Sequence, residues 1–252
     1  MKKIFLAAVF LFATVLCASS PADAILKVDA RYWFTTFSDS VQLSSGSVTG
    51  TNINLVDDLN VDDKKNFWEG RVTLELGSHK LRYGFMPLSW SGTKTLSQSI
   101  VFNGQTYTAS TSVDTKLKGD YHRLGYEYDF IDLLDNKLGV IVELKYFDAD
   151  ARLSAPSIGL NEAGTLRAPI PTIGVAGQVG LPFLINVGGE ITGISAGSKI
   201  YLVDAEAGVN FKPAPFVVIS GGYRILKFHV EKSSDKVDLT LKGPFVMLRA
   251  NF

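Results

Sequence analysis

The sequence predicts an all-β chain that closes on itself: an antiparallel up-and-down transmembrane β-barrel of about ten strands, with eight as the alternative. Three observations carry this. Apolar and polar residues alternate with period two, segment after segment. The connections between segments tend to alternate between tight turns and long polar loops. An export signal precedes the whole.

The signal comes first. Lys2 and Lys3 form a basic start, Ile4 to Cys17 is apolar apart from Thr14, and Ala22-Asp23-Ala24 places small residues where a signal peptidase reads. The run is too short for a membrane-spanning helix, which needs roughly 20 apolar residues. Residues 1–24 are therefore read as a cleaved signal peptide and 25–252 as one barrel domain, with a mature chain beginning at Ile25. Cys17 is the single cysteine, so the mature chain has no disulfide. Leu16 before it is too bulky for the usual lipoprotein site.

Lys and Arg number 25, as do Asp and Glu. Near-neutrality argues against nucleic acid, which requires a basic footprint. No later segment is apolar for long enough to span as a helix. A barrel strand escapes that criterion, because only its alternate residues are apolar.

Taken in order, the strands show two faces. In the first, Leu26, Val28, Ala30, Tyr32 and Phe34 oppose Lys27, Asp29, Arg31 and Trp33. In the second, Trp68, Val72 and Leu74 oppose Glu69, Arg71, Thr73 and Glu75. Leu81, Tyr83 and Phe85 then oppose Lys80 and Arg82. Leu124, Tyr126, Tyr128 and Phe130 oppose Arg123, Glu127 and Asp129. Leu138, Val140, Val142, Leu144 and Tyr146 oppose Lys137, Glu143 and Lys145. The second half continues with more glycine, placing Glu190, Asp204, Glu206, Arg224 and Arg249 on the polar faces. Tight turns are expected at Gly77-Ser78-His79, Asp132 to Asn136, around Pro182 and at Lys212 to Pro215. Long loops are expected at 39–66, 88–114 and 149–168.

A soluble sandwich also alternates. The membrane reading is favoured by strands of about ten residues, by charges at mid-strand on the face opposite the apolar one, and by aromatic residues near strand ends. Trp68, Trp90 and Tyr146 are assigned to a girdle on the loop side. Tyr126, Tyr128, Phe130, Phe211 and Phe252 are assigned to one on the turn side. Val142 and Val203 are expected to face lipid near mid-membrane.

The charged faces thus point inward: Lys27, Asp29, Arg31, Arg71, Glu75, Lys80, Arg82, Arg123, Glu127, Glu143, Lys145, Glu190, Asp204, Glu206, Arg224 and Arg249. Mixed signs in a narrow barrel predict a filled, salt-bridged interior. Asp57, Asp58, Asp62 and Asp63 lack calcium-loop spacing and read as a solvated loop. His79, His122 and His229 are scattered and suggest no metal. No catalytic motif is seen and no cofactor is expected. The glycine pairs Gly188-Gly189 and Gly221-Gly222 suit bends and close packing. Asn103-Gly104 signals a two-residue hairpin in the second long loop, read as an extension of the barrel rim or a contact surface.

The ending Val246-Met247-Leu248-Arg249-Ala250-Asn251-Phe252 resembles the C-terminal signature of outer-membrane proteins. The chain as a whole resembles the small outer-membrane barrels, the broad group that includes the opacity-like, porin-family barrels. Asn54 to Leu59 and Arg123 to Phe130 are similar to stretches in that group. The resemblance implies that Phe252 is read as an assembly signal by the barrel assembly machinery, with periplasmic chaperones as further partners in biogenesis. The expectation is a monomer in a bacterial outer membrane, in contact with its lipids and lipopolysaccharide, with a structural or surface-interaction role. A narrow channel for small or hydrophobic solutes ranks second, and a lipid-modifying enzyme is a distant third.

Overall fold

The computed structural model describes residues 24–45, 48–195, 197, 199–232 and 235–252. The signal-peptide reading lies outside the described residues except for Ala24, the first residue of β1.

Among the described residues twelve strands and one short α-helix follow in order: β1 (Ala24–Gln42), α1 (Leu55–Leu59), β2 (Lys64–Leu76), β3 (His79–Thr95), β4 (Ile100–Phe102), β5 (Gln105–Tyr107), β6 (Ser112–Leu133), β7 (Asn136–Ala155), β8 (Leu160–Leu181), β9 (Ile185–Ser195), β10 (Ile200–Ala214), β11 (Val217–Lys232) and β12 (Asp235–Asn251), with a single 3-10 turn at Pro156–Ile158 between β7 and β8. All except β4 and β5 form one closed barrel, in which β1 pairs with both β2 and β12. The ten-strand reading therefore holds over the eight-strand one. Phe252 and Leu26 exchange backbone hydrogen bonds of 2.8 and 3.0 Å, fastening the last strand to the first.

The turn end of the barrel carries the tight connections. The third long loop expected at 149–168 is instead mostly strand. β7 and β8 stay paired from Lys137–Gln178 to Ala155–Leu160, so this hairpin rises as a tall flap. Its residues lack a continuous apolar face, but backbone ladder bonds need none.

Two features shape the loop end. The β2–β3 ladder stops at Gly70–Phe85, two residues before Pro87, which has no N–H for a ladder. Beyond it the end of loop 1 (residues 43–63) packs against β3. Gly92 has no room for a side chain there: a Cβ would lie 2.5 Å from the Asn60 carbonyl oxygen and 2.6 Å from that of Leu59.

The second feature is a lid. In loop 1, Asn54 caps α1 by accepting from Asp57 N at 2.8 Å, and Asp58 accepts from Asn54 N at 2.9 Å. That turns Leu55 and Leu59 inward. Loop 2 (residues 96–111) holds the β4–β5 hairpin, with Asn103 and Gly104 both at positive φ, as the tight turn requires. Thr51 N donates to Val101 O at 2.9 Å, and the Tyr107 hydroxyl donates to Leu153 O at 3.0 Å. Ile53, Ile100, Phe102 and Tyr107 are buried. The hairpin thus folds over the barrel mouth rather than extending its rim, because its apolar residues gain more by covering the core than by standing in water.

Candidate functional site

The barrel interior has two layers. The loop-side layer is apolar: Trp33, Phe37, Phe67, Met86, Trp90, Phe147, Leu226, Phe228 and Leu241 pack beneath the lid. Trp90 belongs here. It stacks on Phe37 with centroids 4.8 Å apart and meets Phe67 edge-on at 4.9 Å. Its assignment to an outward girdle is corrected: it shares the parity of Arg82 on β3, so it points inward.

The turn-side layer is ionic. All sixteen residues of the inward set line this layer, brought together from nine of the ten barrel strands. Arg31 forks onto Glu206 at 2.6 and 2.7 Å and donates to Glu69 at 3.0 Å. Arg224 grips Asp204 at 2.8 and 2.9 Å and reaches Glu69 at 2.6 Å. Arg123 donates to Glu143 at 3.0 Å and to Glu190 at 2.7 Å. Arg82 pairs with Glu127 and Glu190. Lys145, fully buried, lies 2.6 Å from Glu143 and 2.8 Å from Asp204. Nearer the turns, Arg249 holds Asp29 at 2.6 and 2.9 Å, and Lys27 pairs with Glu75. Arg71 differs. It stands 3.6–3.8 Å from Glu69, Glu190 and Glu206, within ion-pair reach but beyond hydrogen-bonding distance.

Several of these bonds cross the lumen, joining β1 to β10, β3 to β9 and β2 to β11. That is how a narrow barrel fills itself. Two guanidinium groups also close the boundary between layers: Arg31 lies 4.3 Å from the Phe245 ring centroid and Arg224 4.8 Å from that of Trp33. Gly222 makes room for this packing, since a Cβ there would meet Phe245 Cζ at 2.7 Å. Below the network, a cavity of 370 Å³ opens at the turn end, walled in part by Arg71, Lys80 and Lys137.

Three further members of the network were not in the inward set. Glu69 is central, accepting from both Arg31 and Arg224. Asp129 pairs with Lys80 at 2.6 Å, and Lys137 reaches Glu75 at 3.1 Å. The period-two alternation already placed all three on the polar faces, so the signal was present. The histidines have local partners: His79 shares a hydrogen bond with the Tyr126 hydroxyl, His122 with that of Tyr83 at 2.9 Å, and His229 pairs with Asp238.

Outside, the apolar faces form a continuous band. Val142, Ile173, Val246 and Leu248 are each more than half exposed. Val203 faces outward too, but not at the middle of this band. Its ladder row continues into Lys227 and Thr240, toward the loop end.

No protein-family model and no curated sequence matches the chain. Among solved structures, the outer-membrane protease OmpT of Escherichia coli superposes with a TM-score of 0.51 and 10% identity, over 90% of this chain and 97% of that one. Ail, the attachment invasion locus protein of Yersinia pestis, aligns with a TM-score of 0.39 and 11% identity, over 89% and 99%. At such identities the OmpT likeness is one of architecture: the chain has the closed antiparallel barrel fold seen in an outer-membrane protein.

Proposed function

We propose that this chain is an exported bacterial outer-membrane barrel that works as a closed scaffold, presenting its loop surface rather than conducting or hydrolysing. In this reading the signal peptide is removed and the apolar band sits in the hydrocarbon. Turns and termini face the periplasm, and the lid and the β7–β8 flap face outward. An outward apolar band requires such a solvent, and a closed ladder satisfies backbone groups that lipid cannot.

One observation carries the closed state. Trp33, Arg31, Arg224, Tyr121 and Lys145 are all less than 2% exposed, so side chains occupy the lumen between the turn-end cavity and the lid. Planar-bilayer recording tests it. The folded barrel is expected to insert without stable current steps. A reproducible single-channel conductance would favour the narrow-channel reading, for which the turn-end cavity with Arg71 in its wall would be the entrance. A lipid-hydrolysis assay on the same preparation is expected to show no turnover.

A further inference from the structure

Beyond its apolar band the outer wall is not uniform. The ladders set Trp68, Tyr32 and Val246 in one row across β2, β1 and β12. Four residues further along β1, Thr36 has Lys64 on one side and Lys242 on the other, and Lys242 faces Ile225 of β11. The following row holds Ser38, Thr240 and Lys227. Lys64, Lys227 and Lys242 are exposed, and their strand parity, set by buried Phe67, Phe228 and Leu241, points them outward.

Among the described residues none of these three lysine side chains has an ion pair or a hydrogen bond. Asp62 and Asp63 are close in sequence to Lys64 but form no ion pair with it, and Asp238 is engaged by His229. The opposite wall is different. There Asp120 faces Asp148, Asp148 pairs with Arg167 at 3.2 Å, and Lys118 faces Asp150.

Lys227 and Lys242 are diagonal neighbours, ~7–8 Å apart, and Lys64 stands across β1 from Lys242 at two strand spacings, ~10 Å, so the three ammonium groups line one face of three adjoining ladders and call for an anion. Below them Tyr32 packs against Trp68 at 4.7 Å and Phe34 at 5.0 Å, an aromatic shelf at the edge of the apolar band. Resting on the membrane placement proposed above, we infer that this face binds the phosphorylated headgroup of a glycolipid of the outer leaflet. Lys227 and Lys242 meet its phosphate groups from β11 and β12, and Lys64 meets them from β2. The hydroxyls of Thr36, Ser38 and Thr240 meet its sugar, and its acyl chains lie along the aromatic shelf. Anionic lipid attraction accumulates per lysine, and the patch concentrates it on one side of the barrel.

Native mass spectrometry of the folded barrel in detergent tests this, with purified lipid A, dephosphorylated lipid A and inorganic phosphate as probes. Wild type is expected to retain one lipid A at about a hundredfold lower concentration than the dephosphorylated form, and to hold no free phosphate. The combined Lys64→Gln, Lys227→Gln, Lys242→Gln variant is expected to lose that preference. Lys116→Gln with Lys118→Gln, on the opposite wall, is expected to keep it. Equal retention by wild type and the triple variant, an equal loss in the control, or tight free-phosphate binding would each overturn the inference. The two readings fail separately. A barrel that does not insert into lipid vesicles removes the membrane placement, whereas one that inserts without lipid preference removes only this inference.

Discussion

Arg224 of β11 and Asp204 of β10 meet in two parallel hydrogen bonds of 2.8 and 2.9 Å, and the same guanidinium reaches across the lumen to Glu69 of β2 at 2.6 Å. One side chain therefore braces three strands. Removing one partner of a buried pair leaves an uncompensated charge, at a cost of about 3–5 kcal/mol. Arg224→Met is expected to lower stability by that amount in urea unfolding from lipid vesicles. Adding Asp204→Asn is expected to recover part of it, because Lys145 keeps Glu143. A cost below about 1 kcal/mol would mean that water, not protein, satisfies this layer.

The depth of the band can be read with charges. Val142 is 58% exposed and sits between Tyr126 and Ile173, whereas Val203 shares its row with Lys227. An arginine costs about 2–4 kcal/mol at the bilayer midplane and about 0–1 near the interface. Val142→Arg is therefore expected to impair folding into vesicles well beyond Val203→Arg. Equal effects would shift the band along the barrel axis.

Asp39 offers a pH test of the lid. It lies on the part of β1 beyond the lysine row, past the apolar outer band, and is buried with no hydrogen bond of ordinary geometry to either carboxylate oxygen. Burial pushes its carboxyl up to about 7, Asp57 adds to the rise, and the Leu55 backbone opposes it too weakly. A folded-state value above the unfolded one means that folding favours the protonated form. Stability contributed by this group is present at low pH and falls as pH rises from about 4 to 7. Asp39→Asn is expected to raise the melting temperature at pH 8 and to change it little at pH 4. No difference between the two pH values would show that the carboxylate is solvated.

Phe252 is 75% exposed, on the outward face, while its backbone completes the β1–β12 seam. Deleting it removes an exposed aromatic at the end of the apolar band and the last ladder bonds, and also the residue marked by the outer-membrane resemblance as an assembly signal. The truncated protein is expected to cross the inner membrane but to accumulate or be degraded in the periplasm. Fractionation with heat-modifiable gel mobility would reveal this; a normal outer-membrane yield would detach the terminal residue from assembly.

Facing was legible throughout because a strand has period two. Once Leu81, Tyr83 and Phe85 are placed outside, Arg82 and Trp90 must point in, and Trp90 was misassigned only when residue type was allowed to outweigh parity. The same rule had already set Glu69 beside Arg71 on the polar face. The Asn103-Gly104 hairpin was equally local, being fixed by two residues that tolerate positive φ.

Sequence alone therefore determined the strands, the two faces and the mixed-sign interior, since each depends on neighbours one or two residues away. Which charges meet did not follow. Arg31 and Glu206 are 175 residues apart, and Arg82 and Glu190 are 108 apart; only closure of the barrel and its stagger bring them together. The lid, the height of the β7–β8 flap and the convergence of Lys64, Lys227 and Lys242 also belong to tertiary structure. The lysine face depends on the pairing of β1 with both β2 and β12, the flap on a β7–β8 ladder that continues to Ala155–Leu160, and the lid on a loop burying apolar side chains over a core that exists only after the sheet has closed.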